Sequence, residues 1–146
     1  MPSPDHEPLL RTSFFRVLID DVDLGFAEIS RLSSQDDVGE GNHRRRFETV
    51  VLRRALTRSH ELYTWRRHIL DGKDDRRTVT IQQLDAPGGR IANAWHLVAA
   101  RPVRWSGPDF DAMESRIAYE ELELAFDDLV WLEQNEERGG RRGSSA

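Results

Sequence analysis

The sequence predicts a mainly β (α+β) domain, an antiparallel β-sandwich or barrel with one packed α-helix. Three observations predict it. About seven short stretches are rich in β-branched and aromatic residues or alternate apolar with polar. A single stretch repeats its apolar residues at helical spacing instead. Between them lie clusters of Asp, Gly, Ser and Pro, the residues of tight turns. One amphipathic helix among strands needs a sheet to cover, which is how an α+β layer forms.

The elements follow in order. Phe14 to Asp20 is apolar on both faces, with Phe15, Val17 and Ile19 sharing one, and predicts a strand covered on both sides. A turn at Asp20-Asp21-Val22-Asp23 and a second strand over Leu24 to Ile29 would make an opening hairpin. Residues 33 to 46 lose apolar character, which predicts an exposed loop or a solvent-facing extension of the strands. Strand character resumes from Phe47 to Arg53. Ser59 to Leu70 is the helix: Leu62, Trp65 and Ile69 form a narrow stripe, Thr57 or Ser59 can cap the start, and Asp71-Gly72 ends it. Thr78 to Leu84 alternates. Asp85-Ala-Pro-Gly-Gly89 is a strong turn, and the return strand runs from Ile91 through Leu97 towards Trp105. Pro102 requires an edge or a bend there. Ser115 to Phe126 is the last long strand; Ile117 and Tyr119 sit out of phase with Leu122, Leu124 and Phe126, which predicts a bulge or a change of layer.

The expected organisation is an N-terminal arm over 1–8, a β domain over 9–132 and a flexible charged tail over 133–146. The expected core is Phe15, Val17, Ile19, Leu62, Trp65, Ile69, Leu122, Leu124 and Phe126. One domain is the expectation for 146 residues.

Composition excludes several functions. No cysteine is present, which removes disulfide frameworks and thiolate metal or redox sites. No apolar run is long enough for a membrane span or an export signal. The net charge of −5 argues against a sequence-specific nucleic-acid binder, and the basic runs, such as His43 to Arg46, are interrupted by acidic neighbours. His60-Glu61 begins like a zinc-protease helix, but position 64 is Thr64 and the second ligand is missing. No serine sits in a nucleophile elbow, and Gly39-Glu-Gly41 lacks the setting of a dinucleotide loop. The sequence therefore supplies no catalytic residues, no metal ligands and no cofactor-binding residues.

Several segments resemble the phage tail-tube protein family, whose members also serve as inner-tube proteins of contractile injection systems. Phe15-Arg-Val-x-Ile19-Asp20 followed by Gly25-Phe-x-Glu-Ile-Ser30-x-Leu32-Ser33 is similar to the family's N-terminal segments. Leu56-Thr57-x-Ser59-x-Glu61-Leu62-Tyr63-x-Trp65 resembles its helix, and Leu70-Asp-Gly-Lys73 with Arg76-Arg77-x-Val79-x-Ile81 its helix end and next strand. Arg104-Trp105-Ser-Gly-Pro108 and Ile117 to Phe126 resemble its late signature and terminal strand. The segments keep the family's order over roughly residues 8 to 132.

The resemblance implies a tail-tube-like fold in a structural protein that is not an enzyme and needs no cofactor. It implies homo-oligomeric, hexameric rings whose sheets join edge to edge and stack into a hollow tube. The partners it implies are sheath and baseplate proteins of the same machine, with cargo in the lumen. Synthesis would be cytoplasmic, followed by assembly into a tail or injection particle. The lumen wall would be polar, with 78–84 and 116–123 as candidate stretches. In the family a connection before the third long strand helps bind the adjacent ring. Here that connection is Gln35 to Thr49, shorter and without proline, with Asp36, Asp37, Glu40, Arg44, Arg45 and Arg46 as its candidate inter-ring residues. The alternative roles are a baseplate-proximal adaptor ring and, in another class, a monomeric β-barrel binding module.

Overall fold

The computed structural model describes residues 9–39, 42–47 and 49–133. Its elements are β1 (Phe15–Ile19), β2 (Val22–Asp23), β3 (Glu28–Ile29), β4 (Ser34–Gly39), β5 (Asn42–Phe47), β6 (Val50–Ala55), α1 (Glu61–Leu70), β7 (Arg77–Leu84), β8 (Ile91–Ser106), β9 (Tyr119–Ala125) and β10 (Asp128–Leu132). Every ladder is antiparallel. The strand order β2-β1-β7-β8-β9-β6-β3 folds into two layers because the long β8 belongs to both. Its first half pairs with β7 and β10 in a front sheet, and Arg101 to Ser106 pair with β9 in a back sheet. The pivot is Ala99, whose φ of 55° lies in the left-handed region that an L-residue enters at a cost. Pro102 lies just past it, beside a register shift, and its carbonyl accepts from Arg66 Nη1 at 3.1 Å.

The core lies between the layers. The front sheet contributes Val17, Ile19, Val79, Ile81 and Leu97; the back sheet contributes Val50, Leu52, Leu122 and Leu124. Leu62 and Trp65 of α1 join it, as does Phe126. Phe15 packs against this cluster half-buried, and Ile69 is also half-buried. Trp65 donates its Nε1 to the Asp75 carbonyl at 2.6 Å and carries the Arg77 guanidinium over its ring at 4.7 Å. The Asp75 carboxylate holds Arg77 through two bonds, 2.9 and 3.0 Å, and meets His68 Nδ1 at 2.8 Å. This clamp fixes the passage from helix to β7.

Three local expectations need correction, and a fourth narrows to one of its two options. The opening hairpin pairs β1 with β2, through a turn in which Asp20 and Asp21 both have positive φ, while β3 crosses to β6 in the other layer. Gly25 makes the crossing possible, with φ 71° and its N–H on Asp23 Oδ1, so that Leu24 and Phe26 reach the core margin. Ser34–Gly39 and Asn42–Phe47 pair as the antiparallel strands β4 and β5, which is the strand-extension option of the two expected. The helix begins at Glu61 with His60 at the N-cap and no side-chain cap; Thr57 instead accepts from the Ser59 N–H at 3.2 Å. The helix end follows expectation: Gly72, at φ 80°, donates to the Ile69 carbonyl and Lys73 to that of His68, both at 3.0 Å. Finally, β9 starts at Tyr119 rather than Ser115, and its register with β6 runs unbroken. The shift lies on β8, and the inward phase of β9 continues through Glu120.

Candidate assembly interface

Glu120 and Arg54 face each other across β9 and β6, and they are 1% and 6% exposed. Arg54 Nε donates to Glu120 Oε2 at 2.9 Å, and its Nη1 donates to the Leu24 carbonyl at 3.0 Å and to Glu61 Oε1 at 2.9 Å. The other oxygen of Glu120 accepts from Trp105 Nε1 at 2.9 Å. Arg54 Nη2 is buried without a protein partner. A charge taken out of water must be paired or it costs several kcal/mol, so this cluster fixes whatever it touches. It touches β6, β9, the end of β8, the β2–β3 connection and the first turn of α1. The Arg54 guanidinium holds the Glu61 carboxyl below the usual glutamate range, and Tyr63 packs edge-on to Trp105 at 5.2 Å.

The outer face of the back sheet is a charge ladder. Glu28 meets Arg53 at 3.1 Å, Arg53 meets Glu121 at 3.8 Å, and Arg104 meets Glu123 at 2.9 Å. Thr49 donates to Glu123, which lowers that carboxyl's pKa first, and Arg104 lowers it further. Arg53 also lies over the Tyr119 ring at 3.9 Å. Such half-exposed pairs add little stability each, but the face neutralises itself.

The front sheet has two open margins. Among the described residues β10 has β8 as its single neighbour, so Leu129 to Leu132 present one unpaired backbone edge. At the other margin, again among the described residues, β2 covers Leu18 and Ile19 of β1 and leaves Phe15 to Val17 without a strand on that side. Across the sheet the register aligns Arg16, Gln82, Ala94 and Leu132 in one row and Leu18, Thr80, His96 and Val130 in the next, on the face away from the core; Ala94 and Thr80 in these rows are buried. Trp131 on the margin is 64% exposed, tilted against Trp95 at 5.3 Å.

Asp36 and Asp37 lie on β4, opposite Arg45 and Arg44, and Arg46 lies opposite Gln35; Glu40 falls outside the described residues. The stretches 78–84 and 116–123 do not share a surface: the first lies in the front sheet, and the second leads into the back sheet. Residues 107–118, between β8 and β9, form no regular element and expose Phe110, Met113 and Ile117. Among the described residues no three His, Asp or Glu side chains are grouped to hold a metal, and no helix is long and apolar enough to cross a membrane.

Sequence reasoning missed the Arg54–Glu120 pair and β10. Glu120 stands where the alternation of Leu122, Leu124 and Phe126 projects a core position, which is the signal that could have found it.

The family model described as T4-like virus tail tube protein gp19 matches residues 11–130. No curated protein sequence matches. Among solved structures, the chain is similar to one described as the sheath/tube terminator of the extracellular contractile injection system PVC in its extended state. The TM-score is 0.74 and the identity 23%, covering 87% of this chain and 99% of that one. The sheath-tube complex of the same system gives 0.71 and 22%, covering 86% and 93%. A chain of the anti-feeding prophage baseplate, described as 6-fold symmetrised, gives 0.70 and 23%, covering 87% and 97%.

Proposed function

Because the chain belongs to the T4-like virus tail tube protein gp19 family, a structural and not an enzymatic family, we propose that its copies close into a six-membered ring, and that these rings stack into the inner tube of a phage tail or contractile injection system. The observation that carries this reading is the pair of open margins on the front sheet. Its main strands β1, β7, β8 and β10 alternate in direction, so β10 runs antiparallel to β1. Rotation about an axis along the strands preserves direction. β10 of one copy therefore meets β1 of the next as a regular antiparallel neighbour, and the ladder continues around a closed circle. An unpaired edge is a hazard on a monomer, and closure removes it. Six is the symmetry named for the anti-feeding prophage baseplate.

In such a ring these rows of the front sheet line the bore, which places Gln82, His96 and Arg16 on its wall among aliphatic residues. Of the two candidate lumen stretches, 78–84 then faces inward. The stretch 116–123, whose Glu121 and Glu123 are paired with arginines, faces outward to the sheath. Sheath and baseplate proteins are the partners, and the particle is the place of action. Assembly is through hydrogen bonds and packing; no bond is made or broken. The connection Gln35 to Thr49, with Asp36, Asp37, Glu40, Arg44, Arg45 and Arg46 as its candidate residues, reaches the adjacent ring.

A second reading, a terminal or baseplate-proximal adaptor ring, draws support from the short connection Gln35 to Thr49 and from the match to a tube terminator. Electron microscopy of the purified protein, alone and with its sheath and baseplate partners, separates the readings. Long tubes support the main subunit, and single rings that never lengthen support the adaptor. A monomer under every condition refutes both.

A further inference from the structure

The core-side face of the front sheet runs on past the core. On that face the register aligns Val17 of β1, Ile81 of β7, Trp95 of β8 and Trp131 of β10 in one row. Val17 and Ile81 are buried, whereas Trp131, at the open margin, is 64% exposed. A large ring left in water at the end of a core row marks a contact surface. Trp131 is also held in place. Its ring packs against Trp95 with centroids 5.3 Å apart, and its Nε1 donates to Asn93 Oδ1 at 3.3 Å. Asn93 Nδ2 donates to Gln83 Oε1 at 3.0 Å, and Gln83 Nε2 to the Arg11 carbonyl at 3.4 Å. This relay of side chains crosses one end of the sheet, from β10 through β8 and β7 to the residues that lead into β1. A side chain fixed in this way has already lost rotamer freedom, so less is lost when a partner covers it.

The far end of the relay shows what fits. Leu9 and Leu10, just before Arg11, are 91% and 42% exposed, and Phe15 at the start of β1 is half-buried. This segment continues the line of β1 along β7, where the Leu84 N–H donates to the Phe14 carbonyl at 2.8 Å. It therefore lies on the margin opposite to β10 and at the same end of the strands as Trp131. Rotation about an axis along the strands keeps each residue at its own end of the sheet, so the two apolar margins meet when copies close. We infer that Trp131 is a side-chain anchor between copies: it enters an apolar site made by Leu9, Leu10 and Phe15 of a second copy of this chain. That site is incomplete within one chain, because the anchor and its receiving residues stand on opposite margins. This inference rests on the ring reading above and adds to its backbone ladder a specific apolar lock at one end of the strands.

The test uses the full chain, with assembly read by sedimentation and negative-stain microscopy and the fold checked by circular dichroism. Trp131→Ala should raise the protein concentration at which rings form by roughly tenfold or more, the scale of losing a central aromatic contact. Trp131→Phe keeps a ring at the position and should stay within about threefold of the unaltered chain. Acrylamide quenching of tryptophan fluorescence reads the place of the side chain separately from stability. Assembly of the unaltered chain should lower the quenching, and in Trp131→Phe rings most of that fall should be lost. A double-mutant cycle between Trp131→Ala and the pair Leu9→Ala with Leu10→Ala identifies the receiving residues: the combined loss should be well below the product of the separate losses. Rings of folded Trp131→Ala at the unaltered concentration overturn the inference, as does an equal fall in quenching with Trp131→Phe. Losses that multiply in full overturn the receiving site. All three results leave the ring reading standing, whereas monomers of the unaltered chain at every concentration overturn that reading and this inference with it.

Discussion

Replacing Glu120 by glutamine removes one charge from the most buried ion pair among the described residues while keeping shape and volume. Glu120 is 1% exposed and Arg54 6%, so water reaches neither partner. A neutral amide at position 120 can still accept from Trp105 Nε1 through its oxygen. Its NH2 group then faces Arg54 Nε, donor against donor, in place of the 2.9 Å charge-assisted bond. Arg54 already carries one unpartnered nitrogen, and its remaining acceptors are the Leu24 carbonyl and Glu61. Arg54 keeps Glu61 as a counter-charge, so the cost is that of an unsatisfied buried donor, about 1–3 kcal/mol, a sizeable part of the ~5–15 kcal/mol that holds a typical domain folded. The melting temperature of a chain this size should fall by roughly 4–12 °C. Replacing both partners, Arg54→Met with Glu120→Leu, removes the charges together and should cost much less than Glu120→Gln, although the loss of the Glu61 and Leu24 contacts remains. Urea unfolding followed by tryptophan fluorescence measures all three proteins. If Glu120→Gln costs under about 1 kcal/mol, water or a shifted Arg54 satisfies the guanidinium and the cluster is not the fastening described above.

Three further perturbations test separate parts of the fold. Trp65→Ala empties the joint between α1 and the sheets and should cost about 3–5 kcal/mol in urea unfolding; an unchanged midpoint would show that α1 is not part of the core. Asp75 has its pKa lowered first by Arg77 and then by His68, and Glu61 by Arg54. A depressed carboxylate means that the unfolded chain binds more protons, so the stabilisation is present above the ordinary carboxylate range and is lost as pH falls below about 4. Thermal unfolding between pH 7 and pH 3 should therefore show a falling midpoint, and Asp75→Asn should flatten that fall; an equal slope in the variant contradicts the assignment. At the β8 pivot, Ala99→Val should destabilise by about 1–2 kcal/mol because a β-branched residue resists positive φ, whereas Ala99→Gly should not; equal stability of the two variants would remove the strain argument.

The parts legible in the sequence were those governed by local chemistry. The α1 stripe repeats over nearly three turns and ends at Gly72, and the Ala-Pro-Gly-Gly turn joins two alternating strands, so both were readable without tertiary information. The partner of β3 was not, because a two-residue strand pairs with β6 across the molecule, where no periodicity reports it. Hairpin β4–β5 shows no apolar alternation in its sequence, so no pattern marked it as a strand pair. β10 was hidden for a related reason: Asp128–Leu132 lies on a margin with exposed Val130 and Trp131, a pattern that resembles neither a core strand nor a surface one. Charged residues read as surface by default, which concealed Arg54 and Glu120. Of the proposed assembly surfaces, the charges of residues 36–46 were visible in the sequence, while the open margins emerged only from strand order.

The proposed joint between copies is reached most directly by disulfide cross-linking, since the chain has no cysteine of its own. Arg16→Cys on β1 can be paired in turn with Val130→Cys or Leu132→Cys on β10, positions that share one face of the front sheet. Joining of β10 to β1 between neighbours gives, for at least one register, a ladder of covalent oligomers that stops at the hexamer under mild oxidation. Protein that stays monomeric on denaturing gels in every combination, at concentrations where rings are visible, would contradict edge-to-edge closure through these strands.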